Sequence, residues 1–503
     1  VLNLEALSAE TREKLLEAVK KSLAGPPIEK AITVSTGLVG VSLETPAQQS
    51  APLMAPFRQR IGRRVGAGAD NVTWKQITAV LQNAKFSTTE TAAANAIATT
   101  VVPKSAVFKE VGTRGSVTRK AIAHGQGYDD VRARETTNTM LLALKLEEQC
   151  IIGGNITALG APAAPTVAVI DAGGTIAADA AGWDVRIVAL TLMAANRCSM
   201  DRPNAYASDA APINTDCALA GNGRAGVEQN VATDGWSVQG ALTTSAATAG
   251  GNDALRISWT SIPGASAYAV YAITHGAGAG VPILEAIVSQ CQVTLISAAG
   301  TGHAIVAGDT SADAAIFDGM IPLIVANTAA YKLNVGGPLT ATNSRINQIS
   351  AMFQRIWDSG KIDEFELLMG GTVAESINAL LSATGGGPTI LVGPGPAEAG
   401  RLDVMFGYHV GWIVNGVTGK RCRVNVLPWM PGGMIIFMPA TIPYPKAGFS
   451  VPFEMGTSYG WEQIDYAKTV SGGPVDEFDV REEAVLKDYF PAGCGILHNI
   501  YYK

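Results

Sequence analysis

The chain has 503 residues, with 43 acidic against 37 basic side chains and a formal charge of -6. Charged residues are only 16 % of it, where about 25 % is ordinary. With 47 % hydrophobic residues and a mean hydropathy of +0.19, it is neither a disordered chain nor a strongly basic nucleic-acid binder. At about 150 residues per domain its length is a prior for roughly three domains. So sparsely charged a surface is expected to be covered, most simply by further copies of the chain. A membrane does not account for it: the least charged stretches, 404–419 and 427–445, are broken by Gly, Pro or Asn. Both fall short of the roughly 20 apolar residues that a spanning helix needs.

No lysine-led apolar run opens the chain, so nothing reads as a secretion signal. It begins at Val1 rather than Met, with the expectation that the chain was trimmed or that a leading segment is absent. Residues 4–23 place Leu4, Leu7, Leu15, Ala18, Val19 and Leu23 at helical spacing, and Gly25-Pro26-Pro27 stops that helix. An extended arm follows. It ends in a basic run holding Arg58, Arg60, Arg63 and Arg64, which could touch phosphate or pair with acidic groups on neighbouring subunits.

Residues 107–111 and 117–122 alternate, and Gly112 to Gly115 lie between them; the pattern predicts a long two-stranded hairpin. With two largely polar faces it would be marginal unless it lay on another chain. Residues 129–152 hold no Gly or Pro and predict a long helix, with Asp129 and Asp130 at its positive end and Gly153-Gly154 closing it.

From Asn155 to about Ala314 lysine vanishes, and Ala, Gly, Thr and Ser dominate. Alternating runs at 185–190, 255–259, 268–273 and 293–296 predict a β-sandwich. The Trp259 strand, the turn Ile262-Pro263-Gly264-Ala265 and the Tyr268 strand resemble the second and third strands of a fibronectin type III or immunoglobulin-like domain. After Phe317-Asp318-Gly319 the mixed character returns. Ile346, Ile349, Met352, Phe353 and Ile356 mark a helix that Gly360 would end, and Val373 to Leu381 predicts another. Strands are predicted at 364–369, 389–392, 404–414, 422–427 and 434–438. The class is α+β on both sides of a β-rich insertion.

Chemistry-bearing patterns are isolated. The six cysteines, Cys150, Cys198, Cys217, Cys291, Cys422 and Cys494, lie from about 19 to about 131 residues apart with no C-x-x-C pair, as reduced core thiols would. The five histidines, His124, His275, His303, His409 and His498, are scattered too, and no metal site is read from them. Gly456-Thr457-Ser458-Tyr459-Gly460 matches the hydrolase elbow G-x-S-x-G, but only His498 follows and no helix pattern starts at Ser458. Gly221 to Gly226 matches G-x-G-x-x-G without the flanking strand and helix that phosphate binding requires. The carboxylates Asp476, Glu477, Asp479, Glu482 and Glu483 read as a solvated face or a subunit contact. No catalytic residue, cofactor or metal is assigned, and an enzyme is not expected.

The order of elements resembles the major capsid proteins of tailed bacteriophages, the Hong Kong phage capsid fold. It is carried by the basic, proline-marked arm, the polar hairpin and the long helix ending in Leu146-Glu147-Glu148-Gln149-Cys150-Ile151-Ile152-Gly153-Gly154-Asn155. The Phe317-Asp318-Gly319 segment, the helix at 342–357, and the closing stretches 424–436, 486–491 and 496–500 continue it. The resemblance covers roughly residues 40–156 and 315–500. It implies an N-terminal helix and arm (1–75), an extended-loop hairpin (76–128) and a spine helix (129–156). An inserted immunoglobulin-like domain (157–314) and the peripheral and axial domains (315–503) complete the chain.

The same resemblance implies hexamers and pentamers in an icosahedral shell around double-stranded DNA that is contacted weakly and non-specifically. Portal, scaffold and a decoration or cement protein would be partners, with assembly in the host cytoplasm and final location in the virion. Some family members join subunits through a loop lysine and an asparagine; Lys104, Lys109 and Lys120 lie in or near the hairpin. The alternatives are a bacterial nanocompartment shell and, in another class, a cell-surface adhesin or S-layer protein with immunoglobulin-like modules.

Overall fold

A computed structural model describes residues 13–14, 17, 55–65, 70–79, 100–125, 130–171, 174–197, 235–250, 252–275, 282–295, 305, 308–342, 345–383, 411–442, 450–466 and 475–501. Two units are distinguished, Val1–Pro52 and Leu53–Lys503. In the first, only residues 13, 14 and 17 are described, all helical; the rest of the helix expected over 4–23 lies outside the described residues. So do the predicted strand at 389–392 and most of that at 404–414. The account below concerns the second unit.

Its centre is a six-stranded mixed sheet. In spatial order the strands are Tyr331–Pro338, Gly495–Tyr501, Ile435–Pro439, Phe365–Met369, Arg421–Val426 and Trp412–Val414. Side chains alternate between its two faces, and both are buried. Phe365, Leu367, Met369, Ile435, Phe437 and Leu497 face a core built with Ile349, Met352, Phe353 and Ile356 of the helix Asn347–Gly360. Val373 and Ile377 of the helix Gly371–Ala383 join the same core. The rings of Phe353, Phe365 and Phe437 meet at centroid distances of 5.5 to 6.4 Å. The helix ends at Gly360, as expected, and the residue after it, Lys361, takes the left-handed conformation (φ 53°), its N–H donating to the Trp357 carbonyl.

Leu368, Ile436 and Ile496, one step along the same strands, face a second core. It holds Ile151 and Ile152 at the end of the long helix, Met320, Ile321 and Ile324 of the helix Met320–Ala326, and Phe57 of the arm. The long helix is Val131–Gly153, capped by the Asp130 carboxylate accepting from Ala133 N at 3.0 Å. It lies on a four-stranded sheet ordered Arg63–Val65, Phe453–Asp465, Val475–Asp488 and Lys109–Thr118, and Ala143 packs there with Phe478 and Val480.

This arrangement corrects the expected hairpin. Residues 107–122 do not turn at Gly112 to Gly115. Lys109–Thr118 is one strand paired along its length with Val475–Asp488, and Arg119–Gly125 is a helix. The glycines serve close packing: a Cβ on Gly112 would sit 2.5 Å from the Val480 carbonyl oxygen, and one on Gly115 would sit 2.4 Å from the Phe478 ring. The two-stranded pair is Asn71–Ala79 with Thr100–Val107.

The chain leaves this body at the end of the long helix and returns to the same point. The Gly319 N–H donates to the Gly154 carbonyl at 2.8 Å, and a Cβ on Gly154 would meet the Phe317 carbonyl at 2.3 Å. Asn155 Nδ2 donates to the Ser311 carbonyl, and the Asp318 carboxylate accepts from Ile156 N at 2.9 Å. Between these ends stands a β-sandwich. Ile283–Val288, Ala267–Thr274, Trp183–Leu190 and Thr243–Thr244 form one sheet; Gln292–Leu295, Asp253–Ser258 and Thr166–Asp171 form the other. Trp183, Ile187, Leu255, Ile257, Trp259, Tyr268, Val270 and Val293 fill the space between them.

The two strands that resemble an immunoglobulin-like pair, Asp253–Ser258 just before Trp259 and Ala267–Thr274 holding Tyr268, lie in opposite sheets. Trp259 and Tyr268 pack edge to face at 5.5 Å. In chain order the sheets read six-five-two-three and seven-four-one, which differs from an immunoglobulin constant-type order, where the first two strands are neighbours.

Candidate assembly surfaces and buried polar clusters

The basic run of the arm is fully engaged within its own chain. Arg63 bridges two buried carboxylates, Glu147 of the long helix and Glu482 of the strand Val475–Asp488, the latter with Nη1 3.0 Å from Oε2. Arg58 also pairs with Glu147, which accepts from Trp461 Nε1 at 3.2 Å. Glu148 accepts from the backbone N–H of Phe57 and Arg58 at 3.0 and 3.1 Å. Burial pushes the carboxyls of Glu148 and Glu482 above their ordinary range, and it lowers the guanidinium values of Arg58 and Arg63. Arg60 and Arg64 face Glu366 at 3.6 Å and Glu454 at 3.9 Å. Each of these four arginines thus has a carboxylate partner within its own chain.

The hairpin is tied down along its first strand. Trp74 Nε1 donates to the Asp488 carbonyl and carboxylate at 3.0 and 3.1 Å, Gln76 donates to the other Asp488 oxygen, and Ile77 N donates to the Tyr489 carbonyl. Burial raises the Asp488 carboxyl to about 6. Val72 and Ala106 pack on the core that holds Ile151, Ile152 and Phe57, and Ile77 packs on the core that holds Phe353, Phe365 and Phe437. The outer strand Thr100–Val107 pairs only with Asn71–Ala79 among the described strands, and it exposes Val101, Val102 and Val107. Of the three lysines near the expected loop, Lys104 is exposed on this strand, Lys109 opens the strand opposite Ala484, and Lys120 is exposed on the helix Arg119–Gly125.

A second cluster joins the sandwich to the C-terminal strand. His498 Nδ1 lies 2.9 Å from Ser261 Oγ, which accepts from the Tyr268 hydroxyl at 3.3 Å. Cys291 N donates to Asn499 Oδ1 at 2.9 Å, and Asn499 Nδ2 donates to Asn334 Oδ1 at 2.9 Å. Burial lowers His498 to about 4 and raises the Cys291 thiol to about 12. A thiol that burial makes hard to ionise lacks the thiolate character of an activated nucleophile. Leu192, from the helix Leu192–Arg197 of the insertion, is buried in the core that holds Ile151, Ile152 and Phe57. A cleft of about 570 Å³ opens between that helix and the Thr372 and Met430 region.

Ser458 lies within the strand Phe453–Asp465, at an irregular register, and His498 is engaged with Ser261. The strand-to-helix turn that a hydrolase elbow needs is not present at Ser458. Gly221 to Gly226, Cys198, Cys217, His303 and His409 lie outside the described residues. Cys150, Cys291, Cys422 and Cys494 are buried and form no disulfide, and no group of residues able to hold a metal ion is found among the described residues. No described helix is long and apolar enough to cross a membrane. The carboxylate run divides by strand alternation: Glu482 is buried on the arm, while Asp479 faces Arg114 at 2.9 Å. Sequence reasoning noticed the arginines and placed Glu482 in a solvated face or subunit contact, whereas Glu482 is buried against Arg63; nothing in the sequence marked Glu147 and Glu148 as partners of the arm.

No protein-family model matches the sequence, and no curated protein matches it. Among solved structures, the chain is similar to one from Mycobacterium phage Bobi, at 10 % identity and a TM-score of 0.39, over 93 % of this chain and 98 % of that one. It is similar to the capsid of a native GTA particle at 6 % identity and a TM-score of 0.38, over 89 % and 90 %. A chain of the holo-SrpI encapsulin complex from Synechococcus elongatus aligns at 7 % identity and a TM-score of 0.34, over 89 % of each.

Proposed function

We propose that this chain is a shell subunit, the major capsid protein of a tailed double-stranded DNA bacteriophage, assembling as hexamers and pentamers into an icosahedral container. The observation that carries the reading is the outer hairpin strand, Thr100–Val107. It is eight residues of sheet edge with Val101, Val102 and Val107 exposed. Such an edge invites pairing with another chain, and a neighbouring copy supplies the cover. The order of arm, two-stranded pair and long helix supports the capsid resemblance.

An acidic subunit whose arm arginines are all paired internally suits a container that must release its DNA, because tight phosphate binding would oppose packaging and ejection. In this reading the peripheral region is the long helix with its four-stranded sheet, and the axial region is the six-stranded sheet with its two helices. The insertion is an immunoglobulin-like module with permuted strand order. A scaffold, a portal and a decoration protein are the partners, the virion is the location, and no catalytic role is assigned.

The contents of purified particles test the reading. Nuclease-protected double-stranded DNA supports the phage capsid. A stoichiometric cargo protein without DNA would replace it with a nanocompartment shell.

A further inference from the structure

Five charged side chains from three elements meet where the arm crosses the long helix: Arg58 and Arg63 of the arm, Glu147 and Glu148 of the helix, and Glu482 of the strand Val475–Asp488. Three carboxyls thus face two guanidinium groups, with all three glutamates almost fully buried. Glu147 takes both arginines and Glu482 takes Arg63. Glu148 touches neither guanidinium; its Oε2 accepts two backbone N–H groups and its Oε1 has no partner among the described residues. Trp461 adds one neutral donor, to Glu147, and Arg60 and Arg64 are drawn off to Glu366 and Glu454.

An enclosed carboxylate oxygen without a partner is far costlier than a neutral carboxyl, and the cluster carries one negative charge more than its arginines balance. We propose that Glu148 keeps its proton at neutral pH, so that the arm anchor around Phe57 is a proton-held latch that opens in alkali. The latch is built so that ionisation acts where it matters: Glu148 holds the two backbone N–H groups that seat Phe57, itself completely buried. The two N–H donors favour the ionised form, and burial outweighs them.

Hydrogen exchange of the full chain, read on peptides spanning Phe57 and corrected for intrinsic base catalysis, tests this between about pH 6 and about pH 9. Wild type should lose protection by up to about tenfold per pH unit as long as the closed state keeps the Glu148 proton that the opened state gives up, while Glu148→Gln should stay equally protected throughout. Glu147→Gln, which removes the shared partner of both arginines, should be loosened at both ends of the range. Protection of wild type that does not change with pH overturns the proposal, and this arm stands even if Glu148→Gln does not fold. Glu148→Gln as open at about pH 6 as wild type at about pH 9 overturns it equally.

Discussion

The backbone N–H of Cys291, in the β-sandwich, donates to Oδ1 of Asn499, in the C-terminal strand, at 2.9 Å and across 208 residues of sequence. Asn499 holds a left-handed conformation (φ 58°) while its Nδ2 donates to Asn334. Asn is among the few non-glycine residues that adopt this conformation readily. Asn499→Ala removes both bonds and keeps the unfavourable backbone, so it should cost about 1–3 kcal/mol, measured by chemical denaturation.

The same junction makes the insertion part of the body. Removing residues 161–312 takes Leu192 out of the core around Ile151, Ile152 and Phe57 and leaves His498 and Asn499 without Ser261 and Cys291. The shortened chain should have a lower midpoint of thermal unfolding than the parent, whereas an unchanged midpoint would mean a module merely tethered at its ends.

Gly115 lies under the fully buried Phe478 ring, with Thr139 of the long helix alongside. Gly115→Ala forces ring and helix apart and should destabilise by about 1–3 kcal/mol. Gly62→Ala, whose added methyl meets nothing within 4 Å, is the matching control and should leave the unfolding midpoint nearly unchanged.

Asp488 gives the hairpin base a defined pH response. Burial raises its carboxyl from 3.8 to about 6, against the favourable charge of Lys104 and the Trp74 hydrogen bond, with Asp318 adding a repulsion. A carboxyl raised in the folded state contributes stability that is complete below its ordinary value and lost as pH rises through the folded value. Stability from this site should therefore fall between about pH 4 and about pH 7. Asp488→Asn should remove that component, which parallel denaturation curves across the range would read.

Arg63 is the shared partner of Glu147 and Glu482. Arg63→Ala leaves both buried carboxylates short of charge and should cost about 3–5 kcal/mol. Arg64→Ala, at an exposed pair 3.9 Å long, should cost less than about 1 kcal/mol.

Much of this fold was legible because its elements announce themselves locally. The run Met140 to Glu148 lacks breakers, and Ile349, Met352, Phe353 and Ile356 mark one helical face; both lie on helices close to the predicted spans. The sandwich strands alternate as buried strands do. The hairpin was misplaced because glycines that admit a neighbouring backbone look, in sequence, like glycines that turn a chain. Gly112 and Gly115 do the former. The arm cluster was half legible: four arginines in a short run are conspicuous, but their partners Glu147 and Glu482 lie 89 and 419 residues from Arg58 and Arg63. Only the fold brings them together.

Electron microscopy of the purified protein after sedimentation tests the central claim most directly. A shell subunit should yield closed, icosahedral particles in which the strand Thr100–Val107 lies against a neighbouring copy. A monodisperse monomer or small ring under every salt condition, with that strand open to solvent, would contradict it.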